Sequence, residues 1–288
     1  MTARMEGIGV ASERAAPVLL ALALGAAGFL PGAPATAQEA SWSGSVEVAS
    51  GDYYFTERST SVWVVNGVSA SWGGVYVDAS LPLLLQNSDA ITRAGGLPVP
   101  TGGNRAGDGS GRRHDELVVI EAPGSLELSL ADPLLGAGLE FTPTNSPLRS
   151  VRVGASVKPP LRSAESGIGT GEWDAGAGAG ASLELGSVLV MIQGSYWALG
   201  DTPDLELRDV FAYGAALGGF LRGDRLGWSV SVTGSTSMID GVEAPVSIGG
   251  DVYLSLASAR SLRAGVRSGL TESAADVAAS VGWTIPLL

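Results

Sequence analysis

Ala275-Asp276-Val277-Ala278-Ala279-Ser280-Val281-Gly282-Trp283-Thr284-Ile285-Pro286-Leu287-Leu288 alternates almost without error. Ala275, Val277, Ala279, Val281, Trp283, Ile285 and Leu287 are apolar, and Asp276, Ala278, Ser280, Gly282 and Thr284 sit between them. A β-strand sends successive side chains to opposite faces, so this strand has one apolar face and one small or polar face. The same pattern recurs upstream, where Leu226, Trp228, Val230 and Val232 oppose Gly227, Ser229, Ser231 and Thr233. A soluble β-sandwich also alternates, but its outward residues meet water and should carry charge. Here the polar face is mostly Ser, Gly and Thr, which suits the inner wall of a barrel. The pattern predicts an all-β fold: a transmembrane antiparallel up-and-down β-barrel with lipid outside and a polar interior.

Twelve candidate strands follow from this reading: 42–50, 61–71, 75–86, 125–131, 150–158, 176–185, 188–198, 210–222, 226–235, 246–257, 262–270 and 276–287. Lengths near ten residues match a tilted strand crossing the hydrocarbon layer. Tight connections at Trp72-Gly73-Gly74, Gly186-Ser187, Gly223-Asp224-Arg225 and Ser258-Ala259-Arg260 alternate with longer ones. Outer-membrane barrels place short turns on the periplasmic side and long loops outside. One connection breaks the rule. Residues 132–149 are long for a periplasmic turn, so the fourth strand extends into them or a helix or bulge lies there. Residues 87–124 form the longest connection, rich in Gly, Pro and Asn at its start. It reads as an external loop or a plug folded into the lumen.

The N-terminus has another character. Arg4 and Arg14 precede and flank an apolar run over 15–30, Pro31-Gly32 breaks it, and Ala35-Thr36-Ala37 is a small-x-small site. That is the pattern of a cleaved secretory signal over 1–37, leaving a barrel over 38–288. The run is short for a membrane anchor. The chain has no Cys, which excludes disulfides and thiolate chemistry and agrees with export. A formal charge of −12 makes nucleic acid an unsuitable partner.

Alternation assigns Asp78, Glu127, Arg152, Lys158, Glu184, Asp251, Arg263, Arg267 and Asp276 to the inner face, as candidates for the lumen lining. Facing lipid instead, each charge would cost roughly 2–4 kcal/mol at mid-depth. In a meander, Asp251, Arg263, Arg267 and Asp276 lie on neighbouring strands and are expected to form an ion-pair ladder. Such charges either satisfy one another or set the selectivity of a polar passage. Tyr53, Tyr54, Phe55, Trp72, Tyr196, Trp197, Phe211, Tyr213, Phe220, Trp228 and Trp283 fall near strand ends, as interface girdles do.

No catalytic, cofactor or metal set emerges. A lipid-modifying barrel enzyme needs a Ser activated by a His. The chain has one His, His114, within the Arg112-Arg113-His114-Asp115-Glu116 cluster, and no Ser stands in a nucleophile-elbow pattern. Asp201, Asp204, Glu206 and Asp209 make an acidic loop without calcium-loop spacing.

Ser50-Gly51-Asp52-Tyr53, Lys158-Pro159-Pro160, Gly167-Ile168-Gly169-Thr170-Gly171-Glu172-Trp173-Asp174 and Tyr196-Trp197-Ala198-Leu199-Gly200-Asp201 carry a family likeness. So does the stretch from Gly269-Leu270-Thr271-Glu272-Ser273 to Gly282-Trp283. In these segments the chain resembles outer-membrane transporters grouped under the phenol-degradation meta-pathway label. The resemblance implies a monomeric barrel that passes small, often aromatic, compounds, and assigns no residue a role. The chain departs from many outer-membrane barrels in ending on Leu288, which is not aromatic. The expectation is a narrow passive channel or uptake protein in a bacterial outer membrane. Its partners would be membrane lipids, the barrel-assembly machinery during insertion, and a small solute. The rivals are a non-conducting structural or surface-binding barrel and a lipid-modifying enzyme.

Overall fold

The computed structural model describes residues 39–53, 58–86, 91–94, 97–100, 127–161, 171–201, 207–221, 225–239 and 241–287. The expected signal at 1–37 and His114 lie outside them. Among the described residues fifteen strands form in chain order. They are β1 (Glu39–Gly51), β2 (Ser59–Trp72), β3 (Val75–Gln86), β4 (Ile91–Ala94), β5 (Leu97–Pro100), β6 (Glu127–Leu130), β7 (Leu134–Phe141) and β8 (Leu148–Lys158). Then come β9 (Asp174–Leu185), β10 (Val188–Ala198), β11 (Val210–Leu221), β12 (Leu226–Ser235), β13 (Val246–Ser255), β14 (Ser261–Gly269) and β15 (Val277–Pro286). β4 and β5 pair only with each other, as a hairpin within the long connection.

The remaining strands are joined in one antiparallel sheet that closes when β1 pairs with both β2 and β15. β6 and β7 together make a single wall strand against β3, so the wall has twelve strands. The fourth wall strand therefore extends through 134–141, and the connection expected over 132–149 shrinks to 142–147. The interruption at 131–133 has a local cause. Pro133 has no N–H to give the ladder, and Pro82 on β3 stands opposite the gap. The Ala131 N–H still reaches the Pro82 carbonyl at 3.0 Å.

Short turns gather at one end of the barrel and long connections at the other. Gly73 and Gly74 both have positive φ, 57° and 84°, as does the pair Ser258-Ala259 at 61° and 56°. At Gly73-Gly74 two successive left-handed residues match the right-handed twist of the flanking strands and close a two-residue hairpin, whereas Ser258-Ala259 lies in a longer turn between Ser255 and Ser261.

Facing follows the predicted alternation. On β12, Ser229 is 4% exposed while Val230 is 48% exposed. On β15, Ala278 is 5% exposed while Val277 and Val281 are each 53% exposed. The large apolar side chains are the accessible ones and the small ones line the inside. That is the inverse of a soluble core, and it suits an apolar surround.

Candidate functional site: the barrel lumen

A cavity of about 680 Å³ occupies the lumen, and a second of about 260 Å³ lies beside Ser43, Ser45, Gly67 and Arg263 toward the short-turn end. The space exists because much of the inner wall is glycine. Gly176, Gly178 and Gly180 of β9 and Gly154 of β8 line the larger cavity.

Several of these glycines are seats for large neighbours. A Cβ on Gly176 would lie 2.5 Å from the Trp197 ring, and one on Gly154 would lie 2.2 Å from the Tyr76 hydroxyl. The Asp78 carboxylate lies over Gly136, and that of Asp251 over Gly265. These side chains thus lie flat along the wall instead of standing across the lumen. The same device works outside, where Trp283 covers Gly44 and meets Trp42 edge-on at 5.8 Å.

Toward the long-loop end the interior fills. Trp63 and Leu84 are buried with Ala131. Trp197, Leu199, Leu207, Val210 and Met238 form another apolar cluster, on which Leu134 of β7 packs. β7 and β10 are not neighbours, so this cluster bridges separate parts of the wall. Trp197 and Tyr53 are therefore interior residues, correcting their expected place in an interface girdle; Tyr196, Phe211, Tyr213, Phe220 and Trp228 do lie exposed.

Below the bridge between β6 and β7, the Lys158 ammonium is 3.0 Å from Asp132 Oδ2 and 3.3 Å from Asp174 Oδ2. It also donates to the Glu172 carbonyl at 3.1 Å. Asp132 Oδ1 accepts from the Leu161 N–H at 2.8 Å, and Asp174 Oδ1 from the Gly200 N–H at 3.0 Å. All three charged side chains are buried. The cluster ties three consecutive wall strands and two connections together.

The other predicted lining residues fall as follows. Arg152 donates to Glu140 at 2.7 Å and lies over the Tyr76 ring at 5.3 Å. Glu184 pairs with Arg149 at 2.5 Å near the short-turn end. Asp251 and Arg263 pair at 2.8 Å, with the guanidinium 5.9 Å from the Tyr253 ring. The expected four-membered ladder does not form beyond that pair. Arg267 turns to Glu47 of β1 at 3.4 Å, and Asp276 pairs with Arg58 from the first long connection. The reason is closure: β1 lies directly beside β15, so partners on β1 and in the loop above it are within reach. Glu127 belongs to β6 opposite Gln86, and its side chain lies outside the described residues.

Sequence reading missed Glu47, Glu140, Asp132 and Asp174. Glu47 has inward parity with Ser45 and Ala49 and was legible by alternation. Glu140 and Asp132 fall in the segment that reads as a connection, and Asp174 stands two residues before the candidate strand at 176. In the acidic loop, Asp209 accepts from the Tyr196 hydroxyl at 2.6 Å and from the Leu199 N–H at 3.2 Å. Asp201 accepts from the Leu207 N–H at 3.0 Å, while Asp204 and Glu206 lie outside the described residues. Among the described residues no His, Asp and Glu group is arranged to hold a metal ion.

No family model matches the chain, and no curated protein matches it in sequence. Among solved structures it is similar to an outer-membrane channel from Pseudomonas putida F1, at TM-score 0.63 and 11% identity, covering 90% of this chain and 100% of that one. It is also similar to the transport unit of the autotransporter AIDA-I from Escherichia coli, at TM-score 0.45 and 10% identity over 95% and 97% of the two chains. The outer-membrane phospholipase A of Escherichia coli follows at TM-score 0.39 and 12% identity over 88% and 93%. At these identities the likeness to the Pseudomonas channel is one of fold: a closed antiparallel barrel of the outer-membrane type.

Proposed function

We propose that this protein is a narrow passive channel for small solutes in a bacterial outer membrane, working as a monomer. One observation carries the reading. A closed wall with an apolar exterior surrounds a polar, glycine-lined cavity whose charges are held in pairs along the inner face. Paired charges keep a wet passage polar without the cost of an isolated charge in a confined space. The fold-level likeness to the Pseudomonas channel supports the same reading. The short-turn end is then periplasmic, and the chain contacts membrane lipids along its wall and the barrel-assembly machinery during insertion.

Twelve strands leave limited space once side chains are in place. With the apolar bridge at the long-loop end, this favours a narrow pore over a wide general porin. Small compounds with an apolar part, the aromatic class implied by the phenol-pathway resemblance among them, fit such a lumen.

The test is single-channel recording from the refolded chain of 38–288 in planar bilayers, with and without residues 87–124. Discrete steps from the full barrel support the channel. Steps only after the deletion support a pore plugged by that segment. Silence in both removes the channel and leaves a structural or surface-binding barrel.

A further inference from the structure

The charges of the inner wall are held in pairs, with one carboxylate left over. Arg267 holds Glu47, Arg263 holds Asp251 and Arg152 holds Glu140. Asp78 belongs to none of these pairs. It is inward by alternation, between Ser69 and Gly136 in its row, and its carboxylate lies over Gly136. Among the described residues the cation within electrostatic reach of it is Arg152, whose hydrogen bond goes to Glu140 at 2.7 Å. Asp78, Glu140 and Arg152 together therefore carry one negative charge, while the other two pairs are neutral. The long-loop mouth repeats the arrangement: Arg58 is shared by Asp52, at 3.3 Å, and Asp276. At the short-turn end Arg149 and Glu184 balance.

Asp78 also stands at a boundary. On β3 Tyr76 lines the larger cavity and Ser80 the smaller, and Asp78 is the inward residue between them. On β14 Arg267 and Arg263 divide in the same way about Gly265, which the Asp251 carboxylate covers. β13, which carries Asp251, lies five strands round the wall from β3, almost opposite in a ring of twelve. Two carboxylates thus border the division between the cavities from nearly opposite sides. Of the two, that of Asp251 has a guanidinium bonded to it and that of Asp78 does not.

We propose that Asp78 sets the charge preference of this lumen, which admits small cations, ammonium-bearing solutes among them, ahead of anions. A carboxylate beside a narrow passage with low-dielectric walls focuses the field, raises the local concentration of cations and lowers that of anions. Carboxylate-lined constrictions select cations in channels for the same reason. The paired carboxylates contribute less, because each has its charge cancelled by the guanidinium that holds it. The inference rests on the channel reading, since it names the charge class of solute that such a passage would favour.

The chain has no Cys, so a single introduced thiol reports on one place. Ser80→Cys puts it two residues from Asp78 on the same face, within the smaller cavity. The refolded, detergent-solubilised barrel is treated at low salt with a trimethylammonium-bearing and a sulfonate-bearing methanethiosulfonate. Each rate is divided by the rate of the same reagent with a free thiol in solution. The cationic reagent is expected to react about tenfold faster than the anionic one on this scale. In the same background Asp78→Asn should remove most of that preference and Asp78→Glu should keep it; Asp78→Ser serves if Asp78→Asn does not refold. Equal rates for the two reagents overturn the proposal. So does a preference that persists at full size without the Asp78 carboxylate. Failure of both reagents to react overturns it as well, since the boundary would then be closed to solutes. The assay needs no current, so the two ideas fail separately. Cation-selective labelling of a barrel that is silent in bilayers would keep the role of Asp78 and remove the channel. Discrete steps together with equal labelling would keep the channel and remove this inference.

Discussion

Single side chains decide how much of the lumen stays open. Trp197 lies against the wall because Gly176 has no Cβ beneath it. Gly176→Ala puts a carbon 2.5 Å from ring atoms, so the indole must swing inward. Overpacking of this kind costs about 1–3 kcal/mol. The expected result is a smaller unit conductance with the barrel still folded; an unchanged conductance would mean the ring does not border the passage. Lys158 has the opposite role, holding buried carboxylates together instead of clearing space. Lys158→Met leaves Asp132 and Asp174 buried with no cation between them, a loss of about 3–5 kcal/mol when one member of a buried pair is removed. Urea titration of the refolded variant in lipid vesicles measures it. Arg267→Glu sets a second carboxylate beside Glu47, and the reversal potential across a salt gradient should then move toward cation preference. These roles were partly legible beforehand. Alternation gives the facing of Arg152 and Arg267, because facing depends only on parity. It gives no partner, because partners depend on which strands are adjacent around a closed wall.

Strands were the most readable level, and the reason is the surround. Lipid on one side and a polar lumen on the other force a two-residue period that no loop imitates for long. Val230 on β12 is exposed on the outer face and Ser231 faces in, so the two positions should respond differently to the same change. Val230→Arg is expected to destabilise the folded barrel by about 2–4 kcal/mol in a bilayer, and Ser231→Arg by much less. Folding titrations of both variants in vesicles make the comparison; equal losses would mean the facing of β12 is wrong. The fourth wall strand was the hard one. A strand split at 131–133 gives two short runs, β6 of 4 residues and β7 of 8, each too brief to show a full period. Pro133 also reads as a strand breaker, which it is locally, although the wall resumes one residue later.

The whole molecule is a ring of twelve pairings, and the pairing of β1 with β15 is of ordinary length: ten residue pairs run from Ser41↔Pro286 to Ser50↔Val277, against thirteen between β1 and β2 and eight between β14 and β15. The Leu287 N–H donates to the Ala40 carbonyl at 2.8 Å, so the two strands at this seam end side by side at the short-turn end. A seam with the same hydrogen bonding as every other junction has no structural privilege. Chain order can then be rewritten without redrawing the barrel. A circular permutant that joins Leu287 to Glu39 through a short glycine linker, and opens the chain at the Gly186-Ser187 turn, should build the same wall with β10 as its first strand and β9 as its last. Heat-modifiable migration on a gel, the mark of a closed barrel resisting detergent, is the readout. Its loss in the permutant would show that the order in which strands are made, and not only their final neighbours, is written into this fold.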